Sequence, residues 1–190
     1  MPSTNTAAQR SRNEEMNKGL VIVHTGRGKG KTTAALGMGL RGAGHNLKTL
    51  VIQFIKGSWH YGELDAVKRL HPYLQIRPMG KGFIYPSNKT PSPEDSRAVS
   101  QAWDFFLQHL DTGEFHMIIL DEINYAIDYG LIDVRDVLEA IRDKPAGLHV
   151  VLTGRNAHPD IVEAADLVTE MKEIKHPYRT GVKAQRGIEY

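Results

Sequence analysis

Six short apolar runs, separated by longer amphipathic stretches, dominate the hydrophobic pattern of the chain from residue 19 onward. They are mostly continuous rather than alternating, which is typical of strands that are buried on both faces of a parallel sheet. The predicted strands are residues 20–24, 50–55, 74–76, 117–121, 149–152 and 167–169.

Amphipathic stretches between these runs predict helices at residues 32–44, 61–70, 93–110, 134–142 and 160–165. The third begins with Ser92, a proline and two acidic residues, which is a strong helix-start signal. Alternation of strands and helices favours an α/β fold with about six mostly parallel strands covered by helices on both faces.

The two ends of the chain differ in character. Residues 1–18 are polar and show no apolar periodicity, so we expect a flexible N-terminal arm followed by a single domain over residues 19–190. Residues 79–93 are rich in Gly, Pro, Ser and Asn and predict a loop. A loop of this length inside a compact domain is often functional.

Composition narrows the function classes. The 190 residues are 41% hydrophobic and 24% charged, values that are ordinary for a globular domain. The absence of cysteine excludes disulfides and thiolate metal sites. No apolar run approaches the length of a membrane span, and the N-terminus lacks the apolar core of a secretory signal, so we expect a cytoplasmic protein with no membrane partner.

Charge gives a weaker constraint. The formal net charge is only +2, which does not favour a dedicated nucleic-acid binder. Such a balance suits either an ordinary solvated surface or an anionic small ligand such as a nucleotide.

The strongest chemical signal is the glycine-rich stretch that follows the first strand. Glycines stand at positions 26, 28 and 30, and Lys-Thr-Thr and a predicted helix follow Gly30. This pattern predicts a phosphate-binding loop in a RecA-like P-loop fold. Its amides and the helix start would surround phosphate oxygens, Lys31 would add a full charge, and Thr32 would offer a hydroxyl to Mg²⁺. The predicted nucleotide-binding residues here are Thr25, Gly26, Arg27, Gly28, Lys29, Gly30, Lys31, Thr32 and Thr33.

Two positions in this loop have no settled role in phosphate binding. Thr25 stands where the common pattern has glycine, and Lys29 contacts either phosphate or only solvent.

A second signal, four apolar residues ending in Asp121-Glu122, places carboxylates at the carboxyl end of a buried strand, where the ligand crevice of such sheets lies. Both acids are candidate Mg²⁺ ligands, and the sequence leaves open which one binds directly.

The resemblance to a known family rests on five strings, of which the first contains the phosphate loop: TGRGKGKTTAA at 25–35, VIQFIKGSW at 51–59, LDEINYAIDYGLI at 120–132, VLTGRNAHPDIVEAADLVTEM at 151–171 and GVKAQRGIEY at 181–190. Together they resemble the ATP:corrinoid adenosyltransferases of the CobA/BtuR type. The resemblance covers nearly everything from Gly19 onward, and that family's phosphate loop is itself atypical.

The resemblance implies transfer of the 5′-deoxyadenosyl group of ATP to cobalt(I) of a reduced corrinoid, with release of triphosphate. Since cobalt(I) is the nucleophile, the protein needs no nucleophilic side chain. It must orient two substrates and stabilise the departing triphosphate. The resemblance also implies a homodimer, dependence on Mg²⁺ or Mn²⁺, and a reduced flavodoxin-like flavoprotein as electron donor.

Further residue roles come from the same resemblance. Arg41 and Arg155 would contact the nucleotide, although Arg41 also fits a solvated helix face. Phe83 and Tyr85 would press on the lower face of the corrin ring and so ease reduction of the cobalt, with loop anchoring as the alternative. Tyr85 and the following Pro86 depart from the family's usual sequence, which leaves the sealing of that face open.

Other interpretations remain open at this stage. Trp59 either lines the corrin pocket or packs in a core or interface. A generic P-loop ATPase or small-molecule kinase would instead transfer the γ-phosphate. A nucleotide-dependent nucleic-acid or regulatory module of RecA-like fold would need a basic stripe with aromatic residues. The basic cluster in the sequence is Lys172, Lys175, Arg179, Lys183 and Arg186.

Overall fold

A computed structural model describes residues 18–57, 61–82 and 91–190 and contains one six-stranded sheet. Its strands are β1 (Val21–Thr25), β2 (Thr49–Gln53), β3 (Leu74–Pro78), β4 (Met117–Asp121), β5 (His149–Thr153) and β6 (Leu167–Glu170). They lie in the order β3-β2-β4-β5-β1-β6, and every neighbouring pair is parallel. The predicted parallel sheet is confirmed, and its strands closely match the predicted runs.

Helices connect these strands. They are α1 (Lys31–Gly44), α2 (Gly62–Ala66), α3 (Pro93–Leu110), α4 (Ile123–Asp128), α5 (Val134–Asp143) and α6 (Pro159–Ala164), with single 3₁₀ turns at Val67–Arg69 and Pro177–Thr180. The start of α3 is capped as predicted: the Ser92 hydroxyl accepts from the Asp95 amide at 3.1 Å, and the Asp95 carboxylate accepts from the Ser92 amide at 3.0 Å.

Two helical predictions need correction. The helix expected at 61–70 is divided into the short α2 and a 3₁₀ turn. Helix α4 was not predicted, because it is only six residues long and glutamate is not a preferred N-cap residue. Its N-cap, Glu122, has a left-handed backbone (φ 65°) and makes no side-chain capping bond.

Side chains of each central strand alternate between two apolar layers. Val21 and Val23 face a layer that includes Phe106 of α3, whereas Ile22 between them faces Ala35 of α1. Both faces of the sheet are therefore covered by helices, which explains why the strands appear as continuous apolar runs.

Strand β6 is the exception. Among the described strands it pairs only with β1, at the edge of the sheet, and its Leu167 and Val168 are 44% and 39% exposed. The prediction of burial on both faces was wrong here, since an apolar run cannot distinguish an edge strand from a central one. Among the described helices, none combines the length and the apolar character needed to cross a lipid bilayer.

Candidate functional site

The phosphate loop connects β1 to α1 and is tightly packed against the chain that follows β6. Gly26 has φ 94°, and a Cβ there would lie 2.5 Å from the Met171 carbonyl oxygen. Gly28 has a similar restriction at 2.7 Å, and its amide donates to the same oxygen at 2.6 Å. Glycine is therefore required at both positions, at Gly26 also by its left-handed backbone.

Lys31, the first residue of α1, is turned into this loop. Its side chain is buried, and Nζ donates to the carbonyl oxygens of Gly26 at 2.9 Å and Gly28 at 2.8 Å. Burial lowers the pKa of Lys31, while the negative charge of Glu122 acts in the opposite direction. The ammonium group thus lies at the centre of the loop, where a phosphate group would meet it.

Asp121 forms a polar network at the end of β4. It is completely buried, and its Oδ1 accepts from the hydroxyl groups of Thr32 at 2.7 Å and Thr153 at 2.8 Å. Its Oδ2 accepts from Gln53 Nε2 at 3.2 Å. These bonds connect α1, β2, β4 and β5, because the carboxyl ends of parallel strands meet at one edge of the sheet.

Glu122 differs from its neighbour. Its amide donates to Thr153 Oγ1 at 2.9 Å, and its backbone has φ 65°, a conformation that few non-glycine residues adopt. Burial, followed by the like charge of Asp121, raises the pKa of Glu122, and Lys31 and Lys56 oppose that rise. Strained backbone and a perturbed acid at a strand end are common features of functional sites.

Lys56 brings a second ammonium group toward these acids. It forms an ion pair with Glu63 at 2.8 Å, and its Nζ lies 4.6 Å from the centre of the Tyr61 ring. Burial acts to lower the pKa of Lys56, but the charges of Asp121 and Glu63 outweigh it, and the pKa is raised. The lysine therefore stays charged beside the acidic pair.

A cavity of about 860 Å³ opens over this edge of the sheet. Its size lies in the range of about 300–1,000 Å³ that is usual for small-molecule sites. The phosphate loop forms one wall and Glu122 and Arg155 another, and apolar or aromatic residues complete it. Its lining includes Arg27, Gly28, Lys29, Gly30, Lys31, Thr32, Thr33, Leu36, Ile55, Lys56, Glu122, Tyr125, Arg155, Ile188, Glu189 and Tyr190.

Comparison with known proteins identifies the family of the chain. The family model for ATP:corrinoid adenosyltransferases BtuR/CobO/CobP matches residues 17–190. The chain is 43% identical over 175 residues to a corrinoid adenosyltransferase of Sinorhizobium sp., which covers 91% of this chain and 81% of that protein. The chain belongs to this family.

Two further corrinoid adenosyltransferases give the same result. The protein of Escherichia coli K12 is 39% identical over 174 residues, and CobA of Salmonella typhimurium is 37% identical over 174 residues; each match covers 91% of this chain and 86% of the relative. A solved structure, the flagellar accessory protein FlaH of Methanocaldococcus jannaschii, matches with a TM-score of 0.54 at 14% identity, over 81% of this chain and 71% of that one. That likeness concerns the fold alone.

Most of the predicted nucleotide-binding residues lie together in this corrinoid adenosyltransferase family member. Arg27 to Thr33 and Arg155 line the large cavity. Thr25 and Gly26 line an adjoining cavity of about 520 Å³, which Arg27 also lines. The Thr25 hydroxyl accepts from the Ala157 amide at 3.1 Å, so the residue that departs from the common loop pattern connects β1 to the chain after β5.

Other predicted residues are not brought together. Arg41 lies exposed in the last turn of α1 and is not among the residues that line either cavity. Phe83, Tyr85 and Trp59 lie outside the described residues. Their roles in corrinoid binding remain predictions.

The described backbone before these segments has a defined place in the fold. The amide of Gly82 donates to the Ile55 carbonyl at 2.9 Å, and a Cβ on Gly57 would lie 2.6 Å from the Gly82 nitrogen. Gly57 and Gly82, which precede residues 58–60 and 83–90, are therefore adjacent. Both lie beside Ile55, a residue of the cavity wall.

Three polar residues near Asp121 were not assigned a role from sequence. Gln53 and Thr153 donate hydrogen bonds to Asp121. Lys56 forms an ion pair with Glu63 and also senses the charge of Asp121. The first two are the last residues of β2 and β5. A systematic search for polar residues at predicted strand ends would have found them.

Proposed function

We propose that the chain transfers the 5′-deoxyadenosyl group of ATP to cobalt(I) of a reduced corrinoid and releases triphosphate. In this reaction cobalt(I) attacks the 5′ carbon of ribose, a cobalt–carbon bond forms, and the bond between that carbon and the triphosphate oxygen breaks. Family membership supports the assignment. The observation that carries it is that the phosphate loop, Glu122 and Arg155 line one cavity, and that the buried Asp121 accepts from the hydroxyl group of Thr32 in its wall.

Binding of the triphosphate is the main task of the protein's own groups. The loop amides and the start of α1 surround phosphate oxygens, and Lys31 exchanges its bonds to the loop carbonyls for bonds to phosphate. Arg155 extends the positive wall of the cavity. These charges stabilise the departing triphosphate. Arg41 is proposed to contact the nucleotide on the strength of the family resemblance only.

The residues at the end of β4 suit a magnesium ion. A threonine hydroxyl and carboxylate oxygens are the hard ligands that Mg²⁺ prefers, and Thr32 already lies 2.7 Å from Asp121. The raised pKa of Glu122 indicates an acidic pair that a cation would stabilise. We propose Thr32, Asp121 and Glu122 as its binding residues. When bound, Mg²⁺ or Mn²⁺ neutralises charge on the triphosphate.

We propose that the corrinoid binds at the mouth of the cavity, near Gly57 and Gly82. Phe83 and Tyr85 follow Gly82 directly in sequence and are proposed to cover the lower corrin face. Without an axial ligand, cobalt(II) accepts an electron more easily. A reduced flavodoxin-like protein would supply that electron, and we propose that the enzyme acts as a homodimer in the cytoplasm.

Incubation with ATP, Mg²⁺ and a chemically reduced corrinoid tests this function. Adenosylated corrinoid and triphosphate should appear in equal amounts. Absorbance spectroscopy and chromatography measure these products. Release of ADP or phosphate without an adenosylated product would instead indicate a P-loop ATPase or kinase and reject the proposal.

The role of the aromatic residues needs a separate comparison. Phe83→Ala should reduce activity mainly when the corrinoid is supplied as cobalt(II) with a reductant. With cobalt(I) prepared beforehand, its rate should approach that of the unaltered protein. An equal loss under both conditions would point to damage in packing and exclude a role in reduction.

A further inference from the structure

The last residues of the chain lie against the phosphate loop. Gly187, Ile188, Glu189 and Tyr190 line the same cavity as residues 27–33. This segment belongs to the GVKAQRGIEY string, for which the preceding assignment of nucleotide, metal and corrinoid residues provides no role.

Glu189 makes the contact between the two segments. Its Oε1 lies 3.1 Å from Lys29 Nζ, and its Oε2 accepts from the Gln185 amide at 2.6 Å. The Glu189 amide in turn donates to the Gln185 carbonyl at 2.9 Å. The Glu189 side chain is only 17% exposed, whereas that of Lys29 is 51% exposed. The carboxylate is therefore oriented by its own segment, and the lysine is the more exposed partner.

Glu189 and a triphosphate bound to the loop would both be anionic partners for this lysine. Lys29 lies in the middle of the phosphate loop, where the charge of a bound triphosphate concentrates. A carboxylate held beside Lys29 would repel the triphosphate and would occupy the lysine that otherwise binds it. Resting on the proposed function only in so far as the loop binds a triphosphate, we propose that Glu189 competes with the triphosphate for Lys29. The segment 185–190 then separates from the loop when triphosphate binds and returns as the product leaves.

Because Glu189 acts through Lys29, it is a positioning residue. Competition from Glu189 lowers the affinity of the loop both for the triphosphate of ATP and for the triphosphate product. It should favour release of the triphosphate product, which otherwise binds to the same groups as the triphosphate of ATP.

Binding of inorganic triphosphate, measured by calorimetry without corrinoid, tests this competition. Glu189→Gln keeps the shape of the side chain and removes its charge, and it should bind triphosphate about two- to fivefold more tightly, the range expected for a partly exposed ion pair. Glu114→Gln is the matched control, because Glu114 faces Lys48 at 4.0 Å in a surface pair outside both cavities. Its affinity should be unchanged.

Lys29→Met determines whether the effect passes through the lysine. In that background Glu189→Gln should change triphosphate affinity far less than in the unaltered chain. Carboxypeptidase digestion gives an independent readout, since triphosphate should accelerate removal of Tyr190 from the unaltered protein. Glu189→Gln should be cut rapidly even without ligand.

Several outcomes would overturn the proposal: equal or weaker triphosphate binding by Glu189→Gln, an undiminished effect in the Lys29→Met background, or protection of Tyr190 by triphosphate. Deletion of residues 186–190 gives a second variant with the same expected direction. A protein that shows the competition but forms no adenosylated corrinoid would contradict only the proposed function. One that transfers adenosyl normally while Glu189→Gln has no effect on triphosphate affinity would contradict only this inference.

Discussion

Replacement of Thr153 by valine tests the polar network under the cavity. The Thr153 hydroxyl donates to Asp121 Oδ1 at 2.8 Å and accepts from the Glu122 amide at 2.9 Å. Valine has nearly the same shape and can do neither. The substitution therefore removes two hydrogen bonds of a buried carboxylate site without creating a cavity.

The two losses have similar magnitudes. A hydrogen bond to a charged group contributes about 1.5–3 kcal/mol, and a backbone amide left without a partner costs about 1–3 kcal/mol when buried. Asp121 keeps its bonds to Thr32 and Gln53, so the lower part of the combined range applies. We expect the free energy of unfolding to fall by about 3 kcal/mol, which lowers the Tm of a chain of this size by roughly 6–12 °C.

Thr49→Val provides a matched control. Thr49 is also a fully buried strand residue, but its hydroxyl has no hydrogen-bond partner among the described residues. Replacing an unsatisfied buried hydroxyl by a methyl group should stabilise the protein by about 1 kcal/mol. Urea unfolding, monitored by circular dichroism, measures both changes, and triphosphate binding with Mg²⁺ should weaken only in Thr153→Val.

The essential result is that Thr153→Val and Thr49→Val change the free energy of unfolding in opposite directions. If Thr153→Val were as stable as the unaltered protein, the hydrogen bonds at the end of β4 would not be formed in solution. If both variants were destabilised equally, the loss would reflect the strand position and not the polar network.

Four further substitutions examine the loop, helix α1 and the acidic pair. Lys31→Ala should weaken ATP binding and adenosyl transfer together by about tenfold or more, because a charge-assisted bond to phosphate is lost. Gly26→Ala should destabilise the chain by about 1–3 kcal/mol through its positive φ and its collision with Met171, whereas Gly37→Ala, in an open position of α1, should stabilise it by up to about 1 kcal/mol. Without Mg²⁺ and nucleotide, Glu122→Gln should be more stable than the unaltered protein at neutral pH, with a difference that shrinks in acid.

The sign of the last effect follows from the raised pKa of Glu122. Between its ordinary value and the raised value, the folded state binds more protons than the unfolded state, so stability falls as pH rises through that window. Urea titrations at a series of pH values measure it. A stability difference that is independent of pH would refute the pKa shift. Likewise, wild-type turnover in Lys31→Ala, or equal stabilities of the two glycine variants, would contradict the loop geometry.

Much of the site was predictable because its signals are local. The spacing of the glycines with Lys31 and Thr32 depends on backbone conformations and charges within a few residues, and the apolar runs are long enough to show burial on both faces. Strand ends also follow from the sequence, which placed Asp121 at the correct edge of the sheet. The strings shared with the adenosyltransferase family gave the chemistry that the loop alone cannot provide.

Tertiary structure decided what depends on distant parts of the chain. The strand order β3-β2-β4-β5-β1-β6 brings Thr153 and Gln53 to Asp121, and no local pattern encodes that order. The exposure of β6 likewise follows from its position at the edge of the sheet. Glu189 is 160 residues from Lys29 in sequence (189 − 29) yet only 3.1 Å away in space. Contacts between residues so far apart arise from the packing of the whole sheet, because only folding brings these segments together.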